Sequence, residues 1–202
     1  MSPNGTVSPN GAVSPNGAVC VFCGSSPGVN PAFAAAAADV GTCLARRGLG
    51  LVYGGASVGL MGVVADAAIA AGGSATGVIT ESLAGHEIAH RELSDLHVVR
   101  TMHERKALMS SLSDAFVMLP GGFGTYEEFM ESVTWAQLGL HDKRCGILNV
   151  DGFFDDLLRF LGHAVAQGFI KDRQVAGVIV EDDVDALLEA VVGAPSGRLA
   201  AP

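Results

Sequence analysis

Two short segments combine residue types that suit binding a phosphate and acting on the molecule that carries it. Residues 120–128 read PGGFGTYEE and follow the apolar run AFVML, while residues 102–106 read MHERK. Glycines let the backbone approach an anion closely, and the first N–H groups of a helix point at that anion with the positive end of the helix dipole behind them. The first segment therefore predicts a phosphate-binding turn between a strand and a helix.

Charged side chains lie close to this turn in the sequence. Glu127 and Glu128 fall in the first turn of the predicted helix, where a site that only holds phosphate would avoid negative charge. A carboxylate there predicts chemistry rather than simple binding. Arg105 and Lys106 open the helix before the preceding strand; Arg105 could hold a phosphate or sugar hydroxyls with its fork of donors. The alternative is that both cations form only a solvated basic face.

A third segment imitates a metal site. Residues 86–90 read HEIAH, which fits the H-E-x-x-H pattern of zinc peptidases. That pattern needs one long helix, so that both histidines share a face, and a third ligand downstream. Gly85 precedes the segment, which lies in a connection between two predicted strands, and His97 on a strand offers no obvious third ligand. We therefore predict no metal.

These segments belong to a regular alternation of strands and helices. The alternation predicts an α/β fold, a Rossmann-like doubly wound parallel sheet of about seven strands with helices on both faces. Ligands bind at the carboxyl ends of such strands, where three turns could converge: residues 24–26, 54–62 and 121–128. The first two could equally be plain tight turns. The second, GGASVGLMG, departs from the G-x-G-x-x-G fingerprint, and no Walker A lysine is present, so NAD and ATP are not predicted.

Composition limits the remaining functions. The chain has 202 residues and a net charge of −9, which argues against nucleic acid or an anionic membrane as partner. We predict one domain over residues 19–195, after a disordered SPNG-repeat tail (1–18) and before a flexible C-terminus (196–202). No apolar run is long enough for a membrane span, and no signal-peptide pattern opens the sequence, so a cytoplasmic protein is expected.

The four cysteines predict buried structural thiols. Cys20 and Cys23 form a C-x-x-C, but within a strand pattern they point to opposite faces of the sheet. A redox pair of that spacing should open a helix after a strand. Neither a disulfide framework nor a redox site is therefore expected.

Taken together, the motifs resemble those of the LOG (Lonely Guy) family, the cytokinin riboside 5′-monophosphate phosphoribohydrolases. Family members have often been labelled lysine decarboxylases, a name that their chemistry does not support. The resemblance covers roughly residues 19–192 and departs at Ala56, where the family more often has a glycine. The segments that carry it are FCGSSPG (22–28), YGGASVGLMG (53–62), MHERKALM (102–109), PGGFGTYEE (120–128) and TWAQLGLHDK (134–143).

The resemblance implies a function and a set of site residues. The implied reaction is hydrolysis of the N-glycosidic bond of N6-substituted adenosine 5′-monophosphates, with AMP as a further candidate substrate. Arg105 and Glu128 would be the catalytic pair, and Glu127 a solvent-facing or helix-capping charge. The resemblance implies no cofactor and no metal, and it implies a homodimer. An apolar helical face near residues 133–138 could supply the dimer interface, but in the sequence it fits the core equally well. The implied substrate-binding residues are Glu87, Lys106, Gly121, Gly122, Phe123, Gly124, Thr125 and Thr134.

One alternative of a different class stays open. Proteins with similar glycine turns bind nucleotides or nucleotide-like cofactors without cleaving them. The presence of both Arg105 and Glu128 favours the enzyme over such a binding module.

Overall fold

The computed structural model describes residues 16–84, 89–90 and 92–193. Three sequence predictions fall outside these ranges: the repeat tail through residue 15, the substrate contact of Glu87, and the C-terminus from residue 196. Asn16 and Gly17 lie in the predicted tail but contact the domain. The Asn16 side-chain amide donates to the carbonyl oxygen of Arg47 at 2.6 Å, and the Gly50 N–H donates to the carbonyl oxygen of Gly17 at 2.9 Å.

One parallel sheet forms the centre of the domain, in the spatial order β4-β3-β2-β1-β5-β6-β7. Every neighbouring pair of these strands is parallel. The predicted seven-stranded, doubly wound sheet is confirmed. In chain order the strands are β1 (Ala18–Phe22), β2 (Gly50–Tyr53), β3 (Ala75–Thr80), β4 (Asp95–Val99), β5 (Ala115–Met118), β6 (Arg144–Leu148) and β7 (Val178–Glu181).

Helices connect the strands, and local signals fix their ends. The Asn30 side chain accepts a hydrogen bond from the Ala32 N–H with Pro31 at the first helical position, and Gly48 adopts a φ of 67° just after the first helix. Within the described residues the helices are α1 (Pro31–Arg46), α2 (Gly59–Ala70), α3 (Glu81–Ala84), α4 (Met102–Ser111), α5 (Phe123–Gln137), α6 (Asp155–Ala166), α7 (Asp172–Val175) and α8 (Val184–Val192).

The helices cover both faces of the sheet. Buried side chains of α1, α2 and α8 pack on one face, and buried side chains of α4 and α5 with partly buried leucines of α6 pack on the other. Along β1, Val19 and Val21 face the first layer while Cys20 and Phe22 face the second, as the two-residue period of a strand requires. None of the described helices is long and apolar enough to cross a membrane.

The cysteines behave as the sequence predicted. Cys23 belongs to the α1–α2 layer and Cys20 to the α4–α5 layer, so the two thiols of the C-x-x-C lie on opposite faces. All four cysteines are free and buried. Burial raises the pKa of the Cys145 thiol to about 12, and burial together with the nearby Glu128 charge raises the pKa of Cys23 further. These thiols are therefore protonated at neutral pH.

The sheet reverses its winding direction between β1 and β5. The chain moves outward from β1 to β4 and then returns to β5, which pairs with the other side of β1. The Gly24 N–H donates to the carbonyl oxygen of Pro120 at 3.0 Å, and the Leu60 N–H donates to that of Gly24 at 3.0 Å. The three predicted turns thus meet at the switch point, where doubly wound folds bind ligands.

Candidate active site

The start of α5 is an open anion-binding turn. Gly122 is its N-cap residue, and no side chain caps the helix. An added Cβ at Gly121 would collide with the side chain of buried Thr125, whereas one at Gly122 or Gly124 would meet nothing within 4 Å. The turn is packed at Gly121 and has open space beside Gly122 and Gly124, and the first N–H groups of any helix have no acceptor within the helix. The structure brings these predicted phosphate contacts together.

A buried ion pair joins α4 to α5 next to this turn. The Arg105 Nη1 donates to the Glu128 Oε1 at 2.9 Å, and only 7% and 11% of the two side chains are exposed. The Arg105 Nε donates to the carbonyl oxygen of Val78 at 2.8 Å, and its Nη2 to that of Gly54 at 3.3 Å. An added Cβ at Gly54 would collide with the guanidinium. The guanidinium is therefore fixed by one carbonyl oxygen within β3, one just after β2, and one carboxylate.

A capping box sets the start of α4 and so the position of Arg105. The Glu104 N–H donates to the Thr101 hydroxyl at 3.1 Å, and the Thr101 N–H donates back to the Glu104 carboxylate at 3.2 Å. The backbone N–H of Arg100 also donates to that carboxylate and is the main cause that lowers the pKa of Glu104. This arrangement places Arg105 one turn into the helix, with its own N–H bonded to the carbonyl oxygen of Thr101 at 3.0 Å.

Lys106 bonds to a different part of α5. Its ammonium pairs with Glu127 and with the Glu131 Oε1, the latter at 3.0 Å, and its side chain is only 10% exposed. Burial alone would lower the pKa of Lys106, but hydrogen bonds to Glu127 and Glu131 outweigh it and raise the pKa. Glu127 is half exposed, as predicted, but it does not cap the helix; it is a partner of Lys106.

Thr134 and Phe123 lie apart from the buried pair. Thr134 comes nine residues after Thr125, which is about 14 Å further along the axis of α5. Its hydroxyl donates to the carbonyl oxygen of Met130 at 2.7 Å. The structure does not bring Thr134 to the glycine turn of its own chain. Phe123, in the first turn of α5, is 95% exposed.

The second histidine of the H-E-x-x-H segment has both ring nitrogens occupied. The His90 Nε2 bonds to the Asp66 Oδ1 at 2.8 Å, and its Nδ1 accepts from the Glu92 N–H at 3.2 Å. His90 therefore offers no free lone pair to zinc in this arrangement. Residues 86–88 lie outside the described residues. Among those that the structure describes, no group of three or more His, Cys, Asp or Glu side chains is arranged to hold a metal ion.

Sequence reasoning missed several groups that shape the site. The carbonyl oxygens of Gly54 and Val78 accept hydrogen bonds from Arg105. Every residue has a carbonyl oxygen, so the residue type does not reveal this role. Asp66 and His90 are 24 positions apart, with no periodic pattern linking them. Two of these groups carried a signal: Gly54 belongs to one of the three glycine turns, and His90 ends the H-E-x-x-H segment, where it was weighed only as a zinc ligand.

The fold and this site define a class of protein. A doubly wound sheet with an open helix N-terminus at its switch point is built to hold a nucleotide or a similar phosphorylated ligand. A buried arginine–carboxylate pair beside it adds groups that could act on that ligand.

Comparisons with known proteins identify the family. A family model described as "Possible lysine decarboxylase" matches residues 61–191. The cytokinin riboside 5′-monophosphate phosphoribohydrolase of Rhodococcoides fascians is 48% identical over 86% of this chain and 88% of its own length. The enzyme of that name called LOG5 in Arabidopsis thaliana is 51% identical over 77% of this chain and 68% of its own length. The chain belongs to the LOG family, as its motifs predicted.

Solved structures show the same fold at lower sequence identity. A molybdenum cofactor binding protein of Rippkaea orientalis matches 88% of this chain and 97% of its own with a TM-score of 0.65 and 21% identity. A molybdenum cofactor carrier protein of Chlamydomonas reinhardtii matches with a TM-score of 0.66, also at 21% identity, over 87% of this chain and 95% of its own. At this identity the likeness concerns the fold alone.

Proposed function

We propose that this chain hydrolyses the N-glycosidic bond of N6-substituted adenosine 5′-monophosphates to the free base and ribose 5-phosphate. The observation that carries this proposal is the buried Arg105–Glu128 pair, joined at 2.9 Å, beside the uncapped start of α5. Relatives near 50% identity bear the name of this activity. No cofactor or metal is part of the proposed reaction, which consumes only water.

The 5′-phosphate binds at the start of α5 in this proposal. Residues 121–125 supply backbone N–H groups, and Thr125 adds a hydroxyl. The absence of side-chain bulk at Gly122 and Gly124 lets phosphate oxygens approach the backbone. A phosphate held there fixes the ribose one or two bonds away, within reach of α5 side chains.

Glu128 acts at the ribose. When the bond between C1′ and N9 breaks, its electrons leave with the base, and positive charge develops on C1′ and the ring oxygen. The Glu128 carboxylate stabilises that charge and orients the water that bonds to C1′. This water loses one proton and the departing base takes up one proton, so that the net reaction adds one water across the C1′–N9 bond. Arg105 places its positive charge beside Glu128 and fixes the position of that carboxylate, and its remaining donor capacity is available to a ribose hydroxyl or the phosphate.

Incubation with isopentenyladenosine monophosphate tests the function. We expect free isopentenyladenine, separated by chromatography, and an equal amount of ribose 5-phosphate. The matched control is isopentenyladenosine, which lacks the phosphate and should react far more slowly. Intact nucleotide that stays bound to the protein would instead support the binding module. A side-by-side rate with AMP measures how much the N6 substituent contributes.

Lys106, Glu87 and Thr134 are proposed as further substrate contacts, and Lys106 gives a measurable case. Its ammonium is charged at neutral pH. To bind the substrate it must release one of its two glutamate partners. We expect Lys106→Met to raise KM about tenfold, the worth of one charge-assisted hydrogen bond, with kcat changed little. Glu131→Gln is the control, because it removes one partner and keeps the cation. A loss of kcat at unchanged KM would contradict a substrate contact and would indicate that Lys106 only holds α4 against α5.

We also propose a homodimer and a cytoplasmic location. The predicted apolar face near residues 133–138 ends at Leu138 (69% exposed), and the large apolar side chains exposed after it include Leu140 (68%), Phe160 (62%) and Phe169 (86%). Removing such apolar side chains from water against a second copy of the chain would favour association. Light scattering after gel filtration should give twice the monomer mass, and Leu138→Glu combined with Phe160→Glu should give the monomer. A monomeric wild type would refute the dimer. The cytoplasmic location is a separate proposal, and cell fractionation tests it.

A further inference from the structure

His90 is a buried titratable side chain that the proposed reaction does not use. Its residue is 7% exposed, and its ring bridges two elements: α2 through the Asp66 Oδ1 at 2.8 Å, and its own connection through the Glu92 N–H at 3.2 Å. An amide N–H can donate only to an unprotonated ring nitrogen, so Nδ1 carries no proton and Nε2 donates to Asp66.

The backbone beside this ring is paired with the second glycine turn. The His90 N–H donates to the carbonyl oxygen of Gly55 at 3.1 Å, and Ala89 forms an antiparallel bridge with Ala56. Gly55 has a φ of 78°, and an added Cβ there would lie 3.3 Å from the Val78 nitrogen. The turn is therefore held between the His90 backbone on one side and β3 on the other.

The same turn supplies one of the acceptors of the catalytic arginine. The Gly54 carbonyl oxygen accepts from the Arg105 Nη2 at 3.3 Å, and the Val78 carbonyl oxygen accepts from its Nε at 2.8 Å. Hydrogen bonds thus connect Asp66 to His90, His90 to Gly55 and Gly54 to Arg105, and the peptide bond between Gly54 and Gly55 joins the two halves.

We propose that His90, fixed by Asp66, is a positioning residue that locks the second glycine turn and thereby orients Arg105 toward Glu128. This role explains why a histidine lies at the end of the H-E-x-x-H segment without any need for zinc. The kinetic test of this proposal rests on the proposed hydrolysis, whereas the test by hydrogen exchange of Arg105 does not.

Two pairs of variants test this anchor, by which we mean the Asp66–His90 contact that holds the second glycine turn. His90→Ala removes both ring contacts, whereas His90→Gln keeps a donor near the position of Nε2. Asp66→Leu removes the acceptor, whereas Asp66→Asn keeps a side-chain oxygen. Because misplacing a catalytic group by about 1 Å can cost about a hundredfold in rate, we expect His90→Ala and Asp66→Leu to lower kcat at least tenfold with KM within threefold. We expect His90→Gln and Asp66→Asn to stay within threefold of the wild-type kcat.

A second measurement does not depend on turnover. In the ¹⁵N–¹H spectrum the Arg105 Nε–H, identified by its loss in Arg105→Lys, should exchange slowly with solvent because it is buried and bonded to Val78. We expect its exchange to accelerate at least tenfold in His90→Ala and to stay slow in His90→Gln. The ¹⁵N shifts of His90 should show the Nε2–H form in the wild type.

The outcomes separate the two proposals. An active wild type whose kcat and Arg105 exchange are unchanged in His90→Ala and in Asp66→Leu would overturn the anchor, as would an Nδ1–H ring. If His90→Ala does not fold, the Asp66 pair decides the question alone. If the wild type releases no base but Arg105 exchange still accelerates in the variants, the anchor stands and the proposed hydrolysis fails.

Discussion

We expect Glu128→Gln to abolish base release from isopentenyladenosine monophosphate while leaving nucleotide binding largely intact. Glutamine has the shape of glutamate, and its amide oxygen can still accept from the Arg105 Nη1. It lacks the negative charge that stabilises the developing cation at C1′ and orients water. Since electrostatic and acid–base contributions of single groups are each worth about 10²–10⁴ in rate, the expected loss in kcat is about a thousandfold or more.

The neighbouring glutamate provides a matched control. Glu127→Gln makes the same change one residue away, at a side chain that is 54% exposed and pairs with Lys106 rather than Arg105. Its kcat should remain within a few-fold of the wild type. Isothermal titration with the nucleotide measures binding to the inactive Glu128→Gln protein. Equal rates for the two glutamine variants would contradict the role assigned to Glu128.

The arrangement of the main elements followed from residue patterns alone. Apolar runs bounded by glycine turns predicted the parallel strands, and Asn30 with Pro31 predicted the start of α1. The convergence of the three turns followed from the topology, because carboxyl ends of parallel strands meet at one edge. The four-residue helices α3 and α7 were not predicted, since one turn is too short to display a helical hydrophobic period.

The site was only partly accessible from the sequence. The glycine turn and the unusual carboxylates were visible as types and spacing, but the choice between Glu127 and Glu128 came from the family resemblance. The structure gives the physical difference between them. The Glu128 carboxylate pairs with the buried guanidinium of Arg105, whereas the Glu127 carboxylate is exposed and pairs with Lys106. The pairing of adjacent cations on α4 with separate carboxylates on α5 depends on how the two helices pack side by side after β5 has separated them along the chain, and a local pattern cannot encode that packing.

Arg105 has the second large expected effect, because one side chain holds three elements at the site. Its three donor nitrogens bond to β3, to the turn after β2 and to α5. We expect Arg105→Ala to remove turnover and to weaken nucleotide binding about tenfold, the worth of one lost charge-assisted hydrogen bond. It should also destabilise the fold by about 3–5 kcal/mol, since it breaks a largely buried ion pair by removing one member. Urea unfolding and titration with the nucleotide measure the two effects separately.

One further variant separates the charge of Arg105 from its shape, and a second, at Arg100, is its control. Arg105→Lys keeps a cation but reaches fewer acceptors, because an ammonium cannot reproduce the planar fork that spans Val78, Gly54 and Glu128. If orientation of Glu128 matters, this variant should regain most of the stability but little of the turnover. Arg100→Ala, at an exposed arginine that pairs with Glu104 just before α4, should leave kcat within twofold. A fully active Arg105→Lys would show that positive charge alone suffices and that the three-way geometry has no catalytic role.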